Sequence, residues 1–309
     1  MRRIGSNINE LRLDGSMPAL RRDLAAFQAF GLDAAEIPVH GLDAVRNGRL
    51  DRRRTAEARA IMADFPFHYS VHAPNPLNLM DSTDGDRHRE VLLASLEFCA
   101  ETGAGVMAYH PGRFLAEEEF GVRGPMVPDP AEQERLLDLE AAVLREAARA
   151  FPGVVIAMEN ARPFLHHSPY CYAERPEELK RQVLRIDRSN VRITLDFGHL
   201  QMASGFYGLD PVAQVRALAP LIAHCHLHDN FGHAAYHTEK TQTHQIPFGK
   251  GDSHMPVGWG GIRFPELLAP FLASYPGLLI CELRGRYFEH TREAAENLRA
   301  ILRDLDLEG

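Results

Sequence analysis

The chain has 309 residues, 45% of them hydrophobic and 25% charged, with a formal net charge of −8. This is the composition of an ordinary globular protein with a large core. Its acidic balance gives no electrostatic footprint for an anionic membrane and argues against nucleic acid, short of a local basic patch. No run of about eighteen apolar residues offers a membrane span, and no apolar stretch follows Met-Arg-Arg to drive export. The four cysteines, Cys99, Cys171, Cys225 and Cys281, show no paired spacing. They read as buried free thiols and suit a reducing cytoplasm.

In chain order, Arg3 to Ile8 predicts a strand and Met17 to Phe30 a helix, stopped by Gly31. Ala34 to Ile37 predicts a second strand, closed by Pro38, and Leu50 to Met62 a helix with a basic start. The alternation continues with strand Phe67 to Ala73, helix Asp86 to Thr102, strand Gly105 to His110 and helix Ala131 to Phe151. Strand Val154 to Glu159, helix Pro176 to Ile186, strand Val191 to Asp196 and helix Pro211 to Leu218 come next. Strand Ile222 to His228, helix Phe264 to Tyr275, strand Leu278 to Leu283 and helix Thr291 to Leu305 complete the chain. The strands are short apolar runs, as expected of parallel strands buried on both faces. Eight strands alternating with eight helices, without a linker, predict an α/β fold. It is a single-domain (β/α)8 TIM barrel over residues 1–309. The rival, a doubly wound open sheet, would want an early Gly-rich phosphate turn, and Gly5-Ser-Asn-Ile-Asn is not one.

The most informative stretch is Ile222 to Asp229, Ile-Ala-His-Cys-His-Leu-His-Asp. A strand of period 2 points His224, His226 and His228 to one side. Their apolar neighbours bury that side, and several imidazoles buried together are costly unless something binds them. The bland reading is one satisfied core histidine with two polar bystanders. The other strands tip the balance, because they too end in metal-ligand chemistry: His72, His110, Glu159, Asp196 with His199, and Glu282. Any one of these alone is more often structural. In a barrel, all would converge on one mouth, where packed carboxylates and imidazoles need a cation. Asp252 and His254 have the spacing of two further ligands in the Gly-rich segment from Gly249 to Ile262, which holds Trp259, the only tryptophan.

These motifs carry a resemblance. Val-His-Ala-Pro at His72, Tyr-His-Pro-Gly at His110, Met-Glu-Asn at Glu159 and Leu-Asp-Phe-Gly-His from Asp196 to His199 come first. Cys-His-Leu-His-Asp around His226, Asp-Ser-His at Asp252 and Cys-Glu-Leu at Glu282 follow in order. Together they resemble the xylose-isomerase-like barrel superfamily, from Ser70 to Leu283. That superfamily includes sugar-phosphate isomerases and epimerases as well as endonuclease IV. The resemblance implies a central divalent ion on Glu159, Asp196, His226 and Glu282. The endonuclease-like set adds His72, His110, His199, Asp252 and His254. Glu159 would then bridge an ion on His72 and His110 to the central one, and a third ion would sit on His199, Asp252 and His254. Two or three divalent ions are expected, and imidazole with carboxylate suits zinc, manganese or iron about equally.

Two enzymatic readings follow. In one, a metal-dependent enzyme isomerises or epimerises a carbohydrate-like small molecule, or catalyses a related elimination, with Glu159 and Glu282 trading a proton. In the other, an endonuclease-IV-like phosphodiesterase hydrolyses its substrate through a metal-bound hydroxide. The DNA-cleaving enzymes carry a Tyr three residues after the third-strand His, where this chain has Asn75. Arg46, Arg49, Arg52, Arg53 and Arg54 form a basic run that speaks for DNA, against the plainer reading of a solvated helix start. Long βα loops at 113–130, 161–175 and 230–262 would roof the mouth and favour a small substrate. Arg162, Lys250, Arg284 and Trp259 are candidate substrate contacts. His166, His167, His233, His237 and His244 read mostly as surface residues. A homo-oligomer stays open.

Overall fold

The computed structural model describes residues 2–239 and 243–305. Eight parallel strands close into a barrel: β1 (Arg3–Asn7), β2 (Ala34–Pro38), β3 (His68–His72), β4 (Val106–Tyr109), β5 (Val155–Glu159), β6 (Val191–Asp196), β7 (Ile222–Leu227) and β8 (Leu278–Cys281). Each strand pairs with its neighbours in sequence, and β8 closes on β1 with Arg3 beside Leu278. Most aliphatic residues on these strands are buried, including Ile37, Val71, Ile156, Ile193, Leu227 and Ile280. This is why they read as unbroken apolar runs rather than as alternation.

Helices pack around the barrel, and local chemistry starts them. Ser16 caps Met17–Ala29, Asp51 caps Arg52–Met62 and Asp129 caps Pro130–Ala150, each side chain accepting a backbone N–H of the first turn. The expected helix from Leu50 starts two residues later, because Arg49–Leu50 pairs with Val45–Arg46 in a small antiparallel ribbon. The expected helix Phe264 to Tyr275 stops at Leu268, where Pro270 cannot continue it, and resumes as one tight turn at Leu272–Ser274.

An unexpected helix, Phe197–Tyr207, follows β6 directly. Asp196 caps it, its Oδ1 accepting the His199 N–H at 2.6 Å. Gly198 is needed there, because a Cβ at that position would collide with the His228 ring. All four cysteines are free and buried. Among the described residues, no helix is long and apolar enough to cross a membrane.

The barrel interior departs from the usual aliphatic layering toward its C-terminal end. Ser6, Glu36, Ser70, His72, Glu159, Asp196, His224 and His226 are all buried there. So much buried polarity must be satisfied by partners.

Candidate active site at the barrel mouth

The nine residues singled out by strand-end chemistry come together. One group is Glu159, Asp196, His226 and Glu282, with one potential ligand atom from each lying within 4.8 Å of the others. A second is His72, His110 and Glu159, and a third is His199, His228, Asp252 and His254, on the same criterion. Glu159 is shared between the first two. The third contains His228, which the superfamily pattern does not include.

The central group is built around His226. Its Nδ1 lies 3.3 Å from Glu159 Oε2 and 3.6 Å from Glu282 Oε2. Its Nε2 lies 3.0 Å from Glu36 Oε1. Glu36 Oε2 in turn accepts the Ser70 hydroxyl at 2.9 Å and pairs with His224 Nε2 at 2.8 Å. Thus the three alternating histidines divide their work. His224 and Glu36 form a buried support, His226 faces the central carboxylates, and His228 Nε2 pairs with Asp196 Oδ2 at 3.1 Å.

Backbone carbonyls fix the tautomers of the others. His72 Nδ1 donates to Ala73 O at 2.7 Å, His199 Nδ1 to Asn160 O at 2.8 Å and His254 Nδ1 to Glu282 O at 3.0 Å. Each turns Nε2 toward the mouth, the orientation found in metal-ligating imidazoles, with the Nε2 of His199 and His254 facing Asp252 Oδ2 at 3.3 and 2.9 Å. Asn160 also ties β5 to β6, accepting the Asp196 N–H at 2.8 Å and donating to Asp196 O at 2.9 Å.

The electrostatics call for a cation. Burial pushes the Glu159 carboxyl up, but His226 and His110 beside it hold it well below the usual carboxylate range. Burial likewise raises Asp196, yet His199 and His228 bring it to about 2. Burial drives the His110 imidazole down to about 3, so it is neutral at any ordinary pH. His72 resists its burial and is held up to about 9 by Glu159 and Glu36. Even so, both Glu159 oxygens, Glu282 Oε2 and both His226 nitrogens are buried without a partner in hydrogen-bonding geometry. Orphaned donors of this kind at a four-residue focus fit a divalent ion.

Above these groups lies a cavity of about 310 Å³. All three long loops line it: Arg113, Glu117 and Glu118 from the first, Arg162 from the second, Asp252 and His254 from the third. Asn7, Asn9, Asn75 and Arg284 complete much of the wall. Arg284 donates to Asp252 O at 2.5 Å. Two of the expected substrate contacts are elsewhere. Lys250 lines a separate surface groove with Gln201, Phe231 and Arg263. Trp259 packs on the outside, its Nε1 donating to Glu293 Oε1 at 2.8 Å and its ring 4.6 Å from that of His290.

Two arginines of the basic run are paired with carboxylates and a third is tied to the backbone, while Arg49 and Arg53 are exposed. Arg46 pairs with Asp51, Arg52 with Glu97 and Glu101, and Arg54 donates to the carbonyls of Leu42 and Gly15. His167, expected at the surface, is buried and stacked 4.0 Å from the Phe120 ring beneath the lid. The His244 side chain and residues 240–242 of the third loop lie outside the described residues. Glu36, Arg113, Glu117 and Asn7 escaped the sequence reading. Only Glu36 left a signal, a lone carboxylate inside a strand otherwise apolar.

Comparison with known proteins places this geometry in a family. Residues 24–305 match the family described as Xylose isomerase-like TIM barrel. No curated protein sequence matches the chain. Among solved structures, a D-tagatose 3-epimerase-like protein superposes with a TM-score of 0.72 at 22% identity, covering 98% of each chain. An L-ribulose 3-epimerase superposes at 0.69 and 16% identity, covering 99% of this chain and 96% of the other. A xylose isomerase-like TIM barrel protein from Mycobacterium smegmatis, in complex with magnesium, superposes at 0.67 and 16% identity, covering 99% and 97%. The chain therefore belongs to the xylose isomerase-like TIM barrel family.

Proposed function

We propose that this protein is a metal-dependent isomerase or epimerase of a carbohydrate or sugar-like polyol. The observation that carries the reading is the placing of Glu159 and Glu282. They end β5 and β8, which β6 and β7 separate around the barrel, yet both reach His226 Nδ1. Two carboxylates thus approach one small cavity from different walls.

Glu159, Asp196, His226 and Glu282 would hold the central ion, and His72 and His110 would share Glu159 with a second. A bound divalent ion supplies Lewis acidity to adjacent substrate oxygens and so acidifies the C–H between them. Glu159 takes the proton from one face of that carbon. Glu282 delivers a proton to the other face, inverting the centre, and the two carboxyls exchange roles in the reverse direction. Glu36 keeps His226 oriented from below, as carboxylates do behind metal-ligating imidazoles. Asn7, Asn9 and Asn75 offer amides to hydroxyl groups, and Arg284 offers a cation to an anionic substituent. A cavity of about 310 Å³ matches a small molecule. The epimerase names borne by similar folds agree with this reading.

A second reading, phosphodiester hydrolysis, is favoured by the completeness of the nine-residue set. Against it stand the roofed mouth, Asn75 and the pairing of Arg46 and Arg52 with carboxylates. The experiment is a panel of ketoses and aldoses, offered to metal-stripped protein and to protein reloaded with magnesium, manganese or zinc. Metal-dependent interconversion of epimers or isomers is expected. Metal-dependent cleavage of an abasic-site duplex with no sugar turnover would decide for the hydrolase.

A further inference from the structure

The third ligand group carries a cation of its own. Arg162 follows β5 by three residues, and its guanidinium turns into the group formed by His199, His228, Asp252 and His254. Its Nε lies 3.4 Å from Asp252 Oδ2, and its Nη1 lies 3.3 Å from His199 Nε2. These are two of the atoms that face the centre of the group, where Asp252 Oδ1 is buried without a hydrogen-bond partner. Asp252 Oδ2 is already contacted by His254 Nε2 at 2.9 Å and by His199 Nε2 at 3.3 Å. An ion coordinates imidazole and carboxylate at about 2.0–2.2 Å. It would have to enter against a positive charge that touches both of its ligands.

The guanidinium is also flanked on its other sides, although its Nε makes no hydrogen bond. Its Nη2 lies 3.6 Å from Glu117 Oε1, and its Cζ sits 5.2 Å from the centre of the Phe164 ring. The Tyr170 hydroxyl donates to the Arg162 carbonyl at 3.2 Å, anchoring the backbone. Deprotonation offers no escape, because arginine keeps its charge at any accessible pH. Two cations in contact inside a buried site repel strongly.

We propose that Arg162 is the resident cation of the outer group, so that the wild-type chain binds no metal ion at His199, Asp252 and His254. The full ligand set is present, and one arginine converts its outer third from a metal site into a fixed positive wall of the cavity. Removing that charge should restore a site for a borderline divalent ion such as zinc. The proposal rests on the metal reading above only for the ions of the inner groups.

The test is zinc content per chain by elemental analysis, after saturation and gel filtration, of wild type and Arg162→Met. The variant should hold one more zinc than wild type, and Arg162→Met with Asp252→Asn should lose that increment. Equal zinc content in wild type and Arg162→Met would overturn the proposal. Should that variant fold poorly, anomalous diffraction from zinc-soaked wild-type crystals gives an independent answer. A zinc peak among His199, Asp252 and His254 in wild type contradicts the proposal, and its absence with zinc on Glu159 supports it. Loss of the inner ions from both proteins would break the functional reading while leaving the increment intact, so the two failures are distinguishable.

Discussion

The inner and outer ligand groups are built from the same residue types and differ in how their charge is balanced. The inner carboxylates, Glu159 and Glu282, face imidazoles with which they form no well-aligned hydrogen bonds, and several of their oxygens are orphaned. The outer carboxylate, Asp252, also has one orphaned oxygen, Oδ1, but its Oδ2 faces a guanidinium as well as two imidazoles. The inner residues stand at the ends of barrel strands. Asp252, His254 and Arg162 come from the loops above. Ligand identity alone therefore does not make a metal site; the neighbouring charge decides whether a cation is still wanted.

The comparison can be broken most severely at Glu159. Glu159→Gln keeps the shape but removes the charge shared by both inner groups. Turnover should fall by roughly 10²–10⁴-fold, the range for loss of a general acid or base. Zinc content should fall with it, and a variant that kept both activity and full metal content would sever the link between this residue and the inner site.

A smaller effect is expected one layer down. Glu36→Gln leaves His226 in place but weakens the hold on its Nε2. Metal affinity should drop by roughly 10–100-fold, as for other carboxylates behind ligating histidines. Isothermal titration of stripped protein would measure it, and unchanged affinity would reduce Glu36 to a packing role.

The inner site should also show itself through pH. His72 has its imidazolium held up to about 9, against an ordinary value of 6.5, in the protein without metal. A raised histidine stabilises the folded state fully below its unfolded value and ceases to do so as pH rises through the folded one. Thermal stability of the stripped protein should therefore decline between about pH 6.5 and 9. Metal affinity should rise over the same window, since a proton and an ion compete for the imidazole. His72→Gln should flatten both trends.

The mildest changes are expected outside the mouth. Trp259→Phe and Lys250→Ala should leave turnover unaltered, because neither side chain lines the cavity. Lys250→Ala should shift stability by no more than about 0.5 kcal/mol, as at other surface positions. A large loss of kcat in either variant would show that the lid brings these residues to the substrate.

Much of this was legible in the sequence for a plain reason. Parallel barrel strands are buried on both faces, so each appears as a short apolar run, and most of these runs end in a polar residue that reaches the mouth. His72, His110, Glu159, Asp196 and Glu282 announce themselves in this way. The helix Phe197–Tyr207 did not, because it lacks a polar stripe and carries Gly198 and Gly205. Its cap, Asp196, is at once a ligand candidate and the brace for His199. The support under His226 was hidden because Glu36 and His224 meet across the barrel, from β2 and β7, with no spacing to mark them. The role of Arg162 was hidden too. Its position next to Glu159 pointed to the cavity, but its partner Asp252 lies on a different loop.

The central claim is that Glu159 and Glu282 move a proton between opposite faces of one substrate carbon. Proton NMR of turnover in deuterium oxide, with whichever sugar the panel identifies, addresses it directly. Wild type should place deuterium at the carbon whose configuration changes, because the delivered proton comes from a carboxyl in exchange with solvent. Glu159→Gln and Glu282→Gln should abolish that incorporation. A product that keeps the substrate's own hydrogen at that carbon, or undiminished incorporation by either variant, would contradict the account.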